Sequence, residues 1–223
     1  MQYLSQNAKM KRSSVQYDLY NWGIPAFLSK DGLKTCPNAK HCVSGCYAKS
    51  GTYLFSNVAA KYEQRLALAL SSEFVDTLSL DLAKACKTAS KRGKTPLIRI
   101  HDSGDFFSLD YTLSWFRLMK DFSHVNFYAY TKQVEFFKDL SLNYNVPKNF
   151  TLIYSFGGKQ DGLIDPTKDR HSKVFETLDQ ALAAGYADAS HDDTVAALGQ
   201  NHRIGLVYHG VKNYTNTTWN KVS

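Results

Sequence analysis

The sequence predicts an α/β fold, an open or partial (β/α) barrel, and three observations carry that prediction. Short apolar runs of strand length alternate with stretches of helical period along most of the chain, which argues for right-handed βαβ units and a parallel sheet. Four or five such units are visible, too few to close an eight-stranded barrel. Polar and titratable residues follow several of the strand-like runs, at the ends where parallel sheets collect their chemistry. At 223 residues the whole of 1–223 fits one domain. No repeat, low-complexity tract or linker divides it.

Residues 1–30 read as a partly extended N-terminal arm. Residues 13–22 alternate weakly, and Gly23, Ile24 and Pro25 break the pattern. Residues 31–53 form a loop rich in cysteine and small polar residues. Between 57 and 70, Val58, Tyr62, Leu66 and Ala69 recur at helical spacing. A second helix over 73–90 carries Phe74, Leu78, Leu82 and Ala85 inward until Gly93 and Pro96 end it. The run at 96–101, PLIRIH, is a short buried strand, followed by a turn at Asp102, Ser103, Gly104 and Asp105. A helix over 108–121 turns Leu113, Phe116 and Met119 to the core, with Asp105 or Ser108 as its cap. Strands follow at 125–130 and 149–156, separated by a helix over 131–140 with Thr131 as N-cap. A helix over 175–184 ends at Gly185, and brief strands follow at 187–189 and 203–209. The stretch 213–223 is a polar tail.

Composition narrows the function. The formal net charge is +7, with basic residues spread along the chain. Their one mild cluster, at 84–94, reads as a solvated helix face and its exit loop. An anionic partner, nucleic acid included, is compatible with that surface, although no motif interleaving aromatic and basic residues is visible. No apolar run is long enough to span a membrane, and the N-terminus lacks the apolar stretch of a secretory signal. The expected setting is a cytoplasm, where thiols stay reduced and clustered cysteines bind metal more often than they form disulfides.

The stretch at 35–53, TCPNAKHCVSGCYAKSGTY, carries Cys36, Cys42 and Cys46 at C-x5-C-x3-C spacing. Three cysteines on one short flexible loop converge on a metal centre without help from the rest of the fold. A structural zinc site usually takes paired C-x2-C ligands. A zinc site from the three cysteines and His41 is a rival reading, weakened because His41 directly precedes a ligand. A [4Fe-4S] cluster held by three cysteines leaves one iron open to a small molecule. The fourth cysteine, Cys86, lies between alanines in the second helix and reads as a small buried apolar side chain. Arg99 and His101 alternate with Ile98 and Ile100, so both are expected on one strand face, the lumen of a barrel. Lys132 and His209 are the other lumen candidates.

CPNAKHCVSGCYAKSGTY, RIHDSGDFFSLDYTLSWF and FYAYTK resemble a family of small bacteriophage proteins named after gene product eighty-eight of a mycobacteriophage. The resemblance covers roughly half the chain, residues 31–135. More distantly the chain is similar to the radical S-adenosylmethionine superfamily. That second resemblance implies a partial (β/α) barrel with its cluster loop after the first strand. It also implies a turn after the second strand that binds S-adenosylmethionine. Ser103, Gly104 and Asp105 stand where the superfamily has Gly-Gly-Glu, and His101 stands beside them. The cysteine spacing departs from the superfamily's C-x3-C-x2-C.

The function expected is a phage-encoded iron–sulfur protein of the host cytoplasm. Cys36, Cys42 and Cys46 hold the [4Fe-4S] cluster, with radical S-adenosylmethionine-like activity on an unidentified substrate if it is an enzyme. An electron donor is then a partner. The alternatives are a non-catalytic redox or binding protein acting on a host partner or nucleic acid, and a structural zinc protein.

Overall fold

In the computed structural model, residues 2–6, 10 and 14–208 are described. Among them lie seven strands, β1 (Tyr17–Trp22), β2 (Thr95–Ile100), β3 (Asn126–Thr131), β4 (Phe150–Ser155), β5 (His171–Phe175), β6 (Ala187–Asp188) and β7 (Arg203–Val207). The longer helices are α1 (Ser56–Ala69), α2 (Phe74–Lys91), α3 (Leu109–Asp121) and α4 (Val134–Asn143), and the short ones α5 (Leu178–Ala183) and α6 (Asp193–Ala197). The strands form one sheet in the order β1-β2-β3-β4-β5-β7-β6. Every pairing is parallel, and the sheet curls into a half-barrel. No helix among the described residues is long and apolar enough to cross a membrane.

Strand alternation divides the core in two. Tyr20, Trp22, Ile98, Ile100, Phe127 and Ala129 pack outward against Leu78, Leu82, Trp115, Phe116 and Phe137 of the helices. Leu19, Leu97, Tyr128, Ile153 and Ile204 point inward and meet Ala189, Ala196 and Ala197. This inner cluster plugs the concave side, so the lumen opens only beyond it, toward the C-terminal strand ends.

The N-terminal arm is corrected at its end. Residues 17–22 are the edge strand, in register with β2 from Tyr17 opposite Thr95 to Trp22 opposite Ile100. Asp18 and Asn21 blur the apolar pattern because each has a tertiary partner. Arg92 donates to Asp18 at 3.0 and 3.1 Å, and the Asn21 amide donates to Asp102. β5 also lies where a helix start was expected. The helix there begins only at Leu178, capped by the Thr177 hydroxyl, because 171–175 is claimed by β4 and β7. The short α6 has no counterpart in the expected elements.

Thr131 does not cap a helix. It closes β3, and α4 starts three residues later with Gln133 in the N-cap position. Ser108 does cap α3, accepting from the Tyr111 amide at 3.3 Å. His209 and the tail at 213–223 lie outside the described residues.

Candidate functional site

The cysteine loop leaves β1, crosses the C-terminal ends of the strands, and is stitched to the β2–α3 turn at two points. Thr35 is fully buried. Its hydroxyl donates to the Pro25 carbonyl at 2.6 Å, and its carbonyl accepts from the Asp105 amide at 2.9 Å. At the other end the Tyr47 hydroxyl donates to the carbonyl of Asp102. Between these pins the loop leans on the turn after β4. The Cys42 amide donates to the Gly157 carbonyl at 3.2 Å and the Lys159 amide to the Asn38 carbonyl at 2.8 Å. Asp161 holds that turn in shape by accepting from the Gly157 and Gly158 amides, both at 2.8 Å. A Cβ on Gly158 would stand 2.9 Å from the Asn38 carbonyl oxygen, so glycine is required for this close approach.

The result is a cavity of about 500 Å³ lined by Cys36, Cys42 and Cys46 together with His101, Asp102, Ser103, Gly104, Asp105, Arg99 and Lys132. The three cysteines and the four predicted cofactor residues therefore face one space. His41 and Cys86 are not among its lining residues; Cys86 is half-buried on α2, against the outer core. Among the described residues no three His, Cys, Asp or Glu side chains are placed to hold a metal ion. Burial pushes the Cys36 thiol up to about 12, reinforced by the nearby Asp105 carboxylate. Burial also raises the Cys46 thiol. Both favour the protonated form until a cation or cluster displaces the proton.

Each residue of the β2–α3 turn has a distinct place. Gly104 adopts φ +86°, and a Cβ there would stand 2.2 Å from Ile24 Cγ1. Ser103 is buried, and its carbonyl accepts from the Ile24 amide at 3.0 Å. Asp105 receives three donors from within the protein. Oδ1 accepts from the Thr131 hydroxyl at 2.6 Å and the Phe106 amide at 2.8 Å, and Oδ2 from the Lys132 amide at 2.9 Å. Burial raises its carboxyl above the usual range, and these hydrogen bonds pull it back. Asp105 thus ties the turn to the end of β3. Lys132 reaches across to the Ser155 hydroxyl at 2.9 Å.

His101 leaves the lumen face expected from alternation. Its φ of +65°, costly for a non-glycine residue, turns the ring against Phe106 at 4.6 Å between centroids. Burial pushes its pKa down to about 3, so the ring is neutral. The hydrogen bonds fix its tautomer. Trp22 Nε1 donates to the Tyr111 oxygen and Tyr111 lies 2.9 Å from His101 Nε2. Trp22 has only a hydrogen to give, so the tyrosine's own hydrogen goes to Nε2 and the imidazole proton sits on Nδ1. The reverse assignment would leave two groups unpaired in place of one.

Arg99 keeps the lumen face. Its Nη2 donates to the Tyr47 hydroxyl at 3.3 Å, its Nη1 stands 3.9 Å from Asp193 Oδ2, and its guanidinium lies 5.3 Å from the Tyr130 ring centre.

Sequence reasoning passed over Tyr130, which shares the inward face of β3 with Tyr128 and was legible from that alternation. It also passed over the tyrosines around Asp102. Asp102 Oδ2 accepts from Tyr62 at 2.8 Å, Tyr53 at 3.2 Å and Asn21 at 2.5 Å. Gly23 permits this, since a Cβ there would stand 1.9 Å from Asp102 Oδ1. Nothing in the local sequence marks Asp193.

The model of the Gene product 88 family matches residues 2–220. The Gene 88 protein of Mycobacterium phage D29 is 34% identical over 102 residues, covering 44% of this chain and 42% of the relative. The Gene 88 protein of Mycobacterium phage L5 is 32% identical over 102 residues, covering 44% and 43%. The aligned stretch thus spans less than half the length of these relatives. No solved structure matches the chain.

Proposed function

The chain belongs to the Gene product 88 family, and we propose that Cys36, Cys42 and Cys46 hold a [4Fe-4S] cluster at the mouth of the half-barrel. The observation that carries this reading is that three thiols of one loop, pinned at both ends, line a single cavity. Such a cluster takes thiolate ligands, which the three cysteines would supply. Bound there, it supplies one-electron redox chemistry and an iron open to a small-molecule ligand.

Two placements support a more specific reading, an S-adenosylmethionine-binding partial barrel like that of the radical S-adenosylmethionine superfamily. The cysteine loop follows β1, and the Ser103-Gly104-Asp105 turn follows β2, as that resemblance implies. In this reading Asp105 positions the turn, and His101 is buried beside it. An electron donor is then a partner, and the host cytoplasm is the setting.

The test is iron, sulfide and zinc analysis of anaerobically purified protein beside Cys42→Ser. Iron and sulfide in near-equal amounts, lost in the variant, are expected. A colourless protein carrying one zinc sinks the cluster. Given a loaded cluster, release of methionine and 5′-deoxyadenosine on reduction with S-adenosylmethionine marks an enzyme. Its absence leaves a redox or binding role.

A further inference from the structure

The cysteine loop and its approach carry an uneven charge. Residues 26–50 hold four lysines and one acid, Asp31. All four lysines, Lys30, Lys34, Lys40 and Lys49, are exposed. The fold gathers two of them around one aromatic ring and adds a third from the turn after β4. Lys34 Nζ lies 5.6 Å and Lys49 Nζ 5.2 Å from the centre of the Phe27 ring. Lys159, also exposed, donates from Nζ to the Pro37 carbonyl at 2.8 Å. The neighbouring Lys34 charge holds the Lys159 ammonium below its usual range, as like charges at close range do. Among the described residues none of these three lysines stands in an ion pair.

We infer that this patch docks a single-stranded nucleic acid, with phosphates on Lys34, Lys49 and Lys159 and a base against Phe27. The patch borders the cavity, because Ala26, Cys36, Ala48 and Ser50 line that space. Its geometry is fixed by the backbone. Leu28 and Lys34 form an antiparallel bridge, the Ser29 amide donates to the Leu33 carbonyl at 2.9 Å, and the Thr35 amide donates to the Phe27 carbonyl at 3.0 Å. Phe27 itself sits at φ +67°, costly for a non-glycine residue, and that conformation sets its half-buried ring among the lysines. Three like charges held together without a carboxylate raise the free energy of the unbound protein, and a polyanion relieves that repulsion.

Ring and charge together select the partner. A polyanion of charge alone uses the lysines and leaves the ring idle, and a duplex keeps its bases stacked inside. A single strand offers phosphates along a flexible backbone and unstacked bases for an aromatic ring. The lysines, on flexible four-carbon stems, swing to the phosphates and free the ring face. No basic and aromatic run marks this in the sequence, because Phe27, Lys49 and Lys159 are remote from one another along the chain. The dock does not depend on what the thiols hold.

The experiment is fluorescence anisotropy of labelled single-stranded DNA and RNA oligomers with the full chain over a salt series, beside the matching duplexes. Saturable single-strand binding is expected, roughly ten-fold tighter than duplex binding. Lys34→Gln, Lys49→Gln and Lys159→Gln together are expected to weaken it roughly ten-fold or more. They should also flatten the slope of log K against log salt by about 2, from about 0.7 per phosphate contact. Phe27→Asn, which suits the positive φ, should weaken binding several-fold with the slope unchanged, since it removes a ring and no charge. The control is Lys87→Gln, Lys91→Gln and Lys120→Gln together, the same change of charge at exposed positions on α2 and α3; it is expected to keep most of the affinity. Absence of saturable binding, duplex binding as tight as single-strand binding, full affinity in Phe27→Asn, or an equal loss in the control would each overturn the inference. Cys42→Ser is expected to bind as the parent does even when its iron is lost. Binding that disappears with the iron overturns the dock, while a colourless protein that still binds overturns the cluster alone.

Discussion

Replacing Asp105 by alanine is expected to destabilise the fold by about 3–5 kcal/mol, and the figure follows from its donors. The side chain is buried and accepts from the Thr131 hydroxyl, the Phe106 amide and the Lys132 amide. Alanine strands all three, at about 1–3 kcal/mol each. Part is returned, because burial disfavours the ionised carboxylate and its removal relieves that cost. Asp105→Asn keeps one oxygen for two donors but turns an amide N–H toward the third, so about 2 kcal/mol is expected. Urea unfolding with an unchanged slope measures both. An alanine variant within about 1 kcal/mol of the parent would refute the reasoning, since no buried carboxylate with three buried donors can be removed so cheaply. The aspartate would then be free to serve a ligand.

Gly104→Ala combines a φ of +86° with a Cβ 2.2 Å from Ile24 Cγ1, so a loss above about 3 kcal/mol is expected. Gly93→Ala, at φ +65° with open space around it, is expected to cost only about 1 kcal/mol; equal losses in chemical denaturation would refute the steric account. His101 gives a pH signature. Its folded pKa lies near 3, well below the unfolded value of about 6.5. Above pH 6.5 both states are neutral and the group has no effect. Below it the unfolded chain takes up a proton that the folded ring refuses, so stability falls, by about 2 kcal/mol between pH 7 and pH 5 from this group alone. His101→Asn, which tolerates the positive φ, should lack that part of the decline, and parallel pH profiles for the two proteins would count against a buried neutral ring.

The strand-and-helix succession was legible because it rests on local period and on breakers. Leu78 and Leu82, or Ile98 and Ile100, reveal a buried face wherever they occur, and Gly93 with Pro96 ends a helix by its own chemistry. The cysteine loop was equally legible, since the spacing of Cys36, Cys42 and Cys46 lies within one stretch of chain. β1 and β5 were not. Asp18 and Asn21 disguise an edge strand whose polar partners, Arg92 and Asp102, are remote in sequence. His171 and Ser172 become strand only through β4 and β7 on either side. The sequence by itself determined which residue types stand at the strand ends and that three thiols share a loop. Tertiary structure alone decided what each does there. It committed Asp105 to Thr131 and Lys132, turned the His101 ring against Phe106 at a positive φ, and set the Arg99 guanidinium over the Tyr130 ring. The reason is physical: hydrogen-bond satisfaction and charge pairing depend on neighbours brought together by the sheet's register, which local sequence period does not encode.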